Sequence, residues 1–365
     1  MNRREYLAGG SALVAAGAAA TYFGLRNIGS MEEYNASVAA TRSALKQAPG
    51  TTDLIRYATL AANSHNTQPW QFKISGVGIE ILPDMARQIE IVDPDNHHLF
   101  ASLGCAAENL AIAGGACGKP GELSFSLADD GAVSFMFGSG PPVEPALFDA
   151  IPKRQSTRGD YDGKAVSSRD LQTLSAAAAV PGVDLILITD RPQIDRVRDL
   201  VVAGNNAQIA DVAFVRELKT WLRFSPRQAI VTGDGLFSAS SGNPALPEWL
   251  GRLMFDLVFK AKAEKEKYAR QLASSAGVAV FVAQKEDREH WVLAGRACQR
   301  FALQATALGL KHAFINQPVE VAGLRPELAT LVGLAGRRPD LVMRFGYGAA
   351  LPFSARRPAE SVILS

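Results

Sequence analysis

ASLGCAAENLAIAGGACG, residues Ala101 to Gly118, and VLAGRACQRFALQATALG, residues Val292 to Gly309, decide how this chain is read. They align at a constant offset: Gly104 on Gly295, Ala106 on Ala297, Ala111 on Ala302, Ala116 on Ala307 and Gly118 on Gly309. Both carry apolar residues at helical spacing (Leu110 and Ile112; Phe301 and Leu303) among small ones. Small residues let two helices approach closely, so each copy is expected to pack on the other across a pseudo-two-fold axis.

Outward from the repeat, helical and strand patterns alternate. Thr51, Thr52 and Asp53 offer N-caps to a helix whose apolar face holds Leu54, Ile55, Tyr57, Ala58 and Ala61, ending near Asn63. A loop runs through His65 to Pro69. Trp70 to Ile74 and Val77 to Leu82 then read as strands joined by Ser75-Gly76. Leu123 to Leu127 and Val133 to Phe137 flank Asp129-Asp130-Gly131 as a second hairpin. Helices are expected around Ser168 to Ala178 and over Leu246 to Ser274, and a wholly apolar strand at Val278 to Val282. Strands mixed with long helices, without regular βαβ spacing, predict an α+β fold.

The composition bounds the class. The chain has 365 residues, 47% hydrophobic and 20% charged, with 38 basic against 36 acidic side chains. This excludes a disordered tail, a collagen-like rod and a multi-span membrane protein. A formal charge of +2 gives no electrostatic reason to expect a nucleic-acid or membrane-surface partner. Cys105, Cys117 and Cys298 lack C-x-x-C spacing, which argues against a disulfide framework or zinc site and for small buried hydrophobes.

Residues 1–20 have the order of an export signal: Arg3-Arg4 early, a weakly apolar Ala- and Gly-rich core, and Ala18-Ala19-Ala20 at a cleavage position. The arginine pair resembles the twin-arginine signal. That resemblance implies a folded protein handed to the twin-arginine export machinery and a periplasmic or secreted location, or a membrane anchor if the signal is not cleaved.

Common catalytic signatures are missing: no G-x-G-x-x-G after a strand, no phosphate loop, no H-E-x-x-H and no nucleophile elbow. His97-His98 follow Pro94-Asp95-Asn96 and read as a solvent-facing turn, so no metal site is assigned. Lys260 to Lys267 reads as the solvated face of a long helix. Three polar clusters stand out: Asn63-Ser64-His65-Asn66-Thr67-Gln68-Pro69-Trp70, Arg154-Gln155-Ser156-Thr157-Arg158 and Arg356-Arg357-Pro358. Guanidinium forks suit a phosphate, and amides suit a ring edge rich in donors and acceptors. Each cluster taken alone also reads as a capped turn, a surface basic patch or a solvated tail.

Together, the H-N-T-Q-P-W loop at His65 to Trp70, the R-Q-S-T-R motif at Arg154 to Arg158, the A-L-G-L segment at Ala307 to Leu310 and the R-R-P tail at Arg356 to Pro358 resemble the FMN-dependent nitroreductase family. They are closest to its tandem subfamily, from about Thr51 to Ile363. The resemblance implies a nitroreductase-like α+β fold in two degenerate copies, an intramolecular pseudo-dimer with one complete FMN site. The expected division is 1–20 signal, 21–50 linker or helix, 51–150 first half and 151–365 second half. The resemblance places Arg154, Ser156 and Arg356 or Arg357 at the phosphate and ribityl end, and Gln155 and Arg158 at the pyrimidine edge. It brings Asn63, Ser64, Asn66 and Gln68 from the other half, and backbone near Asn316 and Gln317 toward flavin N5, although Pro318 departs from the family pattern.

A cation such as Arg158 would stabilise the reduced ring. The function so implied is an exported oxidoreductase passing hydride through flavin N5 from NAD(P)H, or from another donor such as a quinone or partner protein, to a nitro compound, quinone or similar acceptor, with no side-chain acid or base assigned. The expected assembly is a monomer resembling a dimer, or a weak homo-oligomer. A non-catalytic FMN-storing protein is the alternative, because Phe224 to Leu246, rich in Gly, Ser and Pro, reads either as a lid or as a solvent loop.

Overall fold

The computed structural model describes residues 28–45, 49–128, 130–141 and 147–364. The export-signal reading of residues 1–20 and the turn residue Asp129 lie outside the described residues.

In chain order the first part comprises α1 (Met31–Thr41), α2 (Thr51–Thr59), β1 (Trp70–Ile74), β2 (Gly78–Pro83), α3 (His97–Ala116), β3 (Gly121–Ser126) and β4 (Ala132–Phe137). The second comprises α4 (Ser168–Ala177), β5 (Val183–Ile188), α5 (Arg191–Ala210), α6 (Val212–Thr220), β6 (Leu222–Arg223), α7 (Pro226–Thr232), β7 (Leu236–Phe237), α8 (Glu248–Val258), α9 (Ala261–Ala273), β8 (Gly277–Ala283), α10 (Arg288–Ala307), β9 (Lys311–Phe314), α11 (Gln317–Glu320), α12 (Arg325–Leu331) and β10 (Leu341–Gly346). This is the α+β mixture expected, with both hairpins in place.

Two antiparallel sheets share one topology. Their orders are β1-β2-β4-β3 and β5-β8-β10-β9, each following the sequence pattern first, second, fourth, third. In both, the helix of the repeat joins the second strand to the third. Alternation explains the first sheet: Trp70 and Phe72, Ile79 and Ile81, and Val133 and Phe135 are buried in one core with Leu103 and Leu110 of α3. The uninterrupted apolar run of β8 is covered on both faces. Ala279 and Phe281 meet Phe301 of α10, while Val278, Val280 and Val282 meet Ile194, Val197 and Val201 of α5.

The repeat helices make the most extensive helix contact in the described chain. Cys105 Sγ donates to Gly295 O (3.1 Å), Glu108 pairs with Arg296 and Arg300, and Gln299 Nε2 donates to Asn109 Oδ1 (2.7 Å). Contacts advance together along both helices, so the pair runs parallel. Both helices also end alike. Gly118 (φ 71°) and Gly309 (φ 77°) take the left-handed position, and the next amides, of Lys119 and Leu310, donate back to Gly114 O and Ala305 O, each at 2.8 Å. α3 is long and apolar enough to cross a membrane, but 89% of its most apolar window is buried inside the molecule, as befits a core helix.

Three readings need correction. The N-cap of α2 is Gly50, with Asp53 accepting its amide (3.1 Å), so Thr51 and Thr52 lie inside the helix. Leu246 to Ser274 is two helices, broken where Phe259 leaves helical geometry (ψ 82°) and stacks on Phe255 (4.5 Å). His97 and His98 are buried in the first turn of α3, where the Asp93 carboxylate accepts the amides of His98 and Leu99 (both 2.9 Å) and Asp340 Oδ1 meets His97 Nε2 (2.8 Å). The C-terminal segment reaches the first sheet: Ile363 bridges Phe72, and Leu364 N donates to Phe72 O (2.8 Å).

Candidate functional site

Two adjoining cavities lie where the two parts meet. The larger is about 530 Å3, the smaller about 30 Å3, and Ala62, Asn63 and Arg158 border both.

Arg42, Arg154 and Arg356 line the smaller cavity with Gln155, Ser156 and Ser354. α1 delivers Arg42: Tyr34 Oη donates to Phe353 O (2.6 Å), and the Arg42 guanidinium lies 4.0 Å from the Phe353 ring centre. Its Nη1 donates to Pro152 O (2.8 Å) and Arg154 O (3.1 Å). Arg154 Nη2 donates to Leu60 O (2.7 Å). Arg356 donates to Thr59 O (2.7 Å), Asn66 Oδ1 (2.7 Å), Ala355 O (2.9 Å) and Ala61 O (3.1 Å). None of the three has a carboxylate partner among the described residues. Nε of Arg42 and of Arg154 and Oε1 of Gln155 are buried without any partner.

The electrostatic consequence is visible in all three guanidinium groups. Burial, then the Arg356 and Arg154 charges, pulls Arg42 well below its usual range. Burial and then Arg154 pull Arg356 down to about 9, and burial pulls Arg154 down to about 10. Like charges gathered out of water without a counter-ion repel one another, and an anion between them removes that cost.

The larger cavity has a polar floor and an apolar roof. Its floor takes Ser64 and His65 from the loop, His98 and Ser102 from α3, Asn205 and Gln208 from α5, and Asn316, Gln317 and Glu320 around α11. The roof is built by the segment from α6 to the start of α9, including Phe214, Phe224, Leu246, Met254 and Phe255. Phe224 to Leu246 therefore covers the cavity rather than standing free in solvent. Arg158 donates a side-chain hydrogen bond to no described residue, which leaves its guanidinium available at the junction of the two cavities. Burial pulls its basicity down, with Arg344 adding to the effect.

The loop between α2 and β1 is held in an unusual shape. His65 (φ 45°), Asn66 (φ 55°) and Gln68 (φ 54°) take left-handed geometry, which L side chains rarely adopt without support. Asn66 Nδ2 donates to Gly235 O (3.0 Å) and Ala355 O (3.1 Å), while Asn63 Oδ1 accepts from Gln68 N (2.9 Å).

Of the residues singled out in the sequence, Asn63, Ser64, Asn66, Arg154, Gln155, Ser156, Arg158, Arg356, Asn316 and Gln317 all border one cavity or both. Gln68 and Arg357 do not. Gln68 is fully buried, donating to Gly233 O (2.8 Å) and accepting from Arg357 N (2.9 Å). Arg357 turns its side chain toward Asp84 (3.6 Å) and Ser361 O. Sequence reasoning missed Arg42, which belongs to no motif, and His98 and Glu320. Both His98 ring nitrogens lack partners, its Nδ1 lies 3.9 Å from Glu320 Oε1, and burial raises the Glu320 carboxyl above its usual range. Asp93, His97 and His98 each bring a potential ligand atom within 4.8 Å of the others, and each Asp93 carboxylate oxygen also accepts one helix amide.

No protein-family model matches the chain. Two Mycobacterium tuberculosis proteins, of strains CDC 1551 / Oshkosh and ATCC 25618 / H37Rv, each named "Putative NAD(P)H nitroreductase", are 28% identical to it over 323 residues, 85% of this chain and 90% of theirs. A nitroreductase with bound FMN from Desulfitobacterium hafniense shares 17% identity at a TM-score of 0.38, over 61% of this chain and 99% of that one. The FMN-dependent nitroreductase NfnB of Mycobacterium smegmatis, solved with NADPH, shares 11% at a TM-score of 0.37, over 56% and 87%. Similarity at these scores transfers no residue-level correspondence.

Proposed function

We propose that this chain is an FMN-dependent NAD(P)H oxidoreductase of the nitroreductase type. One observation carries the reading: Arg42, Arg154 and Arg356 converge, without a carboxylate among the described residues, on a small cavity that opens beside a much larger one. A phosphate end and a planar ring of one ligand suit that pair of spaces. The two mycobacterial relatives named as nitroreductases support the same reading.

The donors present fit the group. Arg42, Arg154 and Arg356 with Ser156 would hold the phosphate through charge-assisted hydrogen bonds, and the orphaned Nε of Arg42 and of Arg154 have unused capacity for it. Gln155, with an unpartnered Oε1, and the free guanidinium of Arg158 would face the ring edge. Asn63 and Ser64 would approach from the loop, and the backbone near Asn316 and Gln317 from the far wall. When bound, FMN supplies hydride transfer through N5 between a nicotinamide donor and a nitro compound, quinone or similar acceptor. The chain's part is to bind, to orient, and through the apolar roof to exclude water.

The proposal extends to organisation. The repeated strand order and matched helix ends support two degenerate copies of one fold, about 51–150 and 151–365, with the C-terminal tail crossing to the first. Export through the twin-arginine pathway, read from residues 1–20, belongs to the same proposal. The roof also favours a second reading, a protein that stores FMN without turnover.

Purification and anaerobic mixing test both. Yellow protein that bleaches with NADH or NADPH supports the oxidoreductase, and yellow protein that keeps its colour supports storage. Colourless protein that fails to bind added FMN sinks both.

A further inference from the structure

The roof of the larger cavity has an apolar outer side as well as an inner one. On α8, Gly251, Met254, Phe255 and Val258 border the cavity. Trp249 (65% exposed), Leu253 (51%) and Leu257 (61%) follow at helical i, i+4, i+8 spacing, and Val258 (56%) joins them. A helix that is apolar on both sides is normally enclosed. Here more than half of each outer side chain faces solvent, and Val258 belongs to both sides at once.

Charge and size choose the occupant. Around this stripe Glu248 is taken by Arg252, Asp256 by Lys219 and Glu264 by Lys267. Lys260, Lys262 and Lys265, directly beyond the helix, have no ion-pair partner among the described residues, and Glu266 alone of the acidic side chains from 246 to 270 stands outside the pairs. The free charge at the patch is therefore positive. The exposed parts of Trp249, Leu253, Leu257 and Val258 together offer on the order of 400 Å2. A stable protein interface needs about 800 Å2 from each partner. A short apolar stripe containing Trp, followed directly in the chain by exposed lysines without ion-pair partners, matches a lipid surface with anionic headgroups instead.

We infer that α8 docks this protein on an anionic lipid bilayer, with Trp249, Leu253 and Leu257 entering the headgroup boundary. The docked orientation puts the cavity roof against the lipid, where an apolar ligand would have a short path from membrane to cavity. The docking rests on the exposed stripe and its charge, and holds whether or not the cavity binds a flavin.

The full-length protein tests it with vesicles of phosphatidylcholine and phosphatidylglycerol in equal parts, bearing brominated acyl chains. Of the four tryptophans only Trp249 is exposed, since Trp70 and Trp291 are buried and Trp221 is half-buried. We expect emission to be quenched in the wild type and unmoved in Trp249→Phe. Partition should fall at least about tenfold in the double variant Leu253→Glu/Leu257→Glu, and also when pure phosphatidylcholine replaces the mixture. Both leucines are exposed, so the double variant should keep the wild-type circular dichroism. Because the signal comes from Trp249, attachment through another part of the chain leaves it unchanged. The proposal is overturned if brominated lipid does not quench Trp249, if the double variant partitions like the wild type, or if the stripe instead mediates a dimer that sedimentation detects and the double variant abolishes.

Discussion

Gly104 and Gly295 hold exchanged positions in one contact: a β-carbon on Gly104 would lie 2.0 Å from Val292 O, and one on Gly295 would lie 1.9 Å from Ala101 O. The sequence alignment that pairs Gly104 with Gly295 also pairs Ala101 with Val292. Each residue therefore meets the counterpart of its own neighbour, as at an isologous dimer interface. Backbone on both sides leaves no flexible group to yield. Gly104→Ala and Gly295→Ala should each destabilise the fold by about 1–3 kcal/mol or more. The double variant should cost less than the two together, since one separation of α3 from α10 relieves both clashes. Urea denaturation measures this, and wild-type stability in both single variants would remove the close approach.

The arginine cluster makes a prediction about ligand choice. FMN and riboflavin differ by the phosphate, so the wild type should prefer FMN, and Arg356→Gln should erase most of the preference. FMN affinity is expected to fall by about 1.5–3 kcal/mol more than riboflavin affinity, since loss of the Arg356 bonds to Asn66 Oδ1 and the Thr59 and Ala61 carbonyls disturbs the loop for both ligands. Fluorescence titration of both ligands reads it. Equal loss for both would move the phosphate away from Arg356.

Buried histidines set the acid response. Burial holds His65 down to about 4 and His97 and His312 down to about 3, and lowers His98 as well. A group whose folded value lies below its unfolded 6.5 contributes stability that is complete above 6.5 and is lost as pH falls. Each should steepen the acid side by about 1.4 kcal/mol per pH unit while only the unfolded chain takes up the proton. Burial raises Asp340 to about 7, which has the opposite sign: its contribution is full below 3.8 and is lost as pH rises through 7. Burial raises Glu320 likewise, and the four histidines outnumber the two carboxyls, so the thermal midpoint should fall between pH 6.5 and 4. His312, whose ring nitrogens have no partner, is the clean probe. His312→Leu should flatten the profile by about one proton, and an unaltered slope would refute the assignment.

Legibility of the sequence followed the range of the interactions. The hairpins were readable because alternation within six residues decides which face is buried, and the repeat because both helices use small residues at matching places. The break at Phe259 was not, since the segment has neither Pro nor Gly there and the helix stops because Phe259 turns into the cavity. His97 and His98 looked like a turn after Pro94-Asp95-Asn96, whereas Asp340, far along the chain, supplies the partner that lets His97 be buried. Arg42 had no local signal at all. Its position is fixed by Pro152 O, Arg154 O and the Phe353 ring, and pattern reading cannot connect such distant residues.

The last prediction concerns the roof. A β-carbon on Gly251 would meet Phe224 Cγ at 2.3 Å and Cβ at 2.5 Å, atoms near the main chain that cannot swing aside as a side-chain tip does. Gly251→Val should therefore lift α8 from Phe224 and open the cavity while leaving both sheets intact, because β6 and β7 pair with each other and with neither main sheet. Amide exchange should accelerate over 248–258 and stay slow in β8 and β10. If the larger cavity holds the flavin ring under this roof, release of FMN should quicken by about tenfold or more. Faster exchange with unchanged release would separate the roof from the cofactor, and slow exchange in Gly251→Val would show that α8 does not depend on this contact.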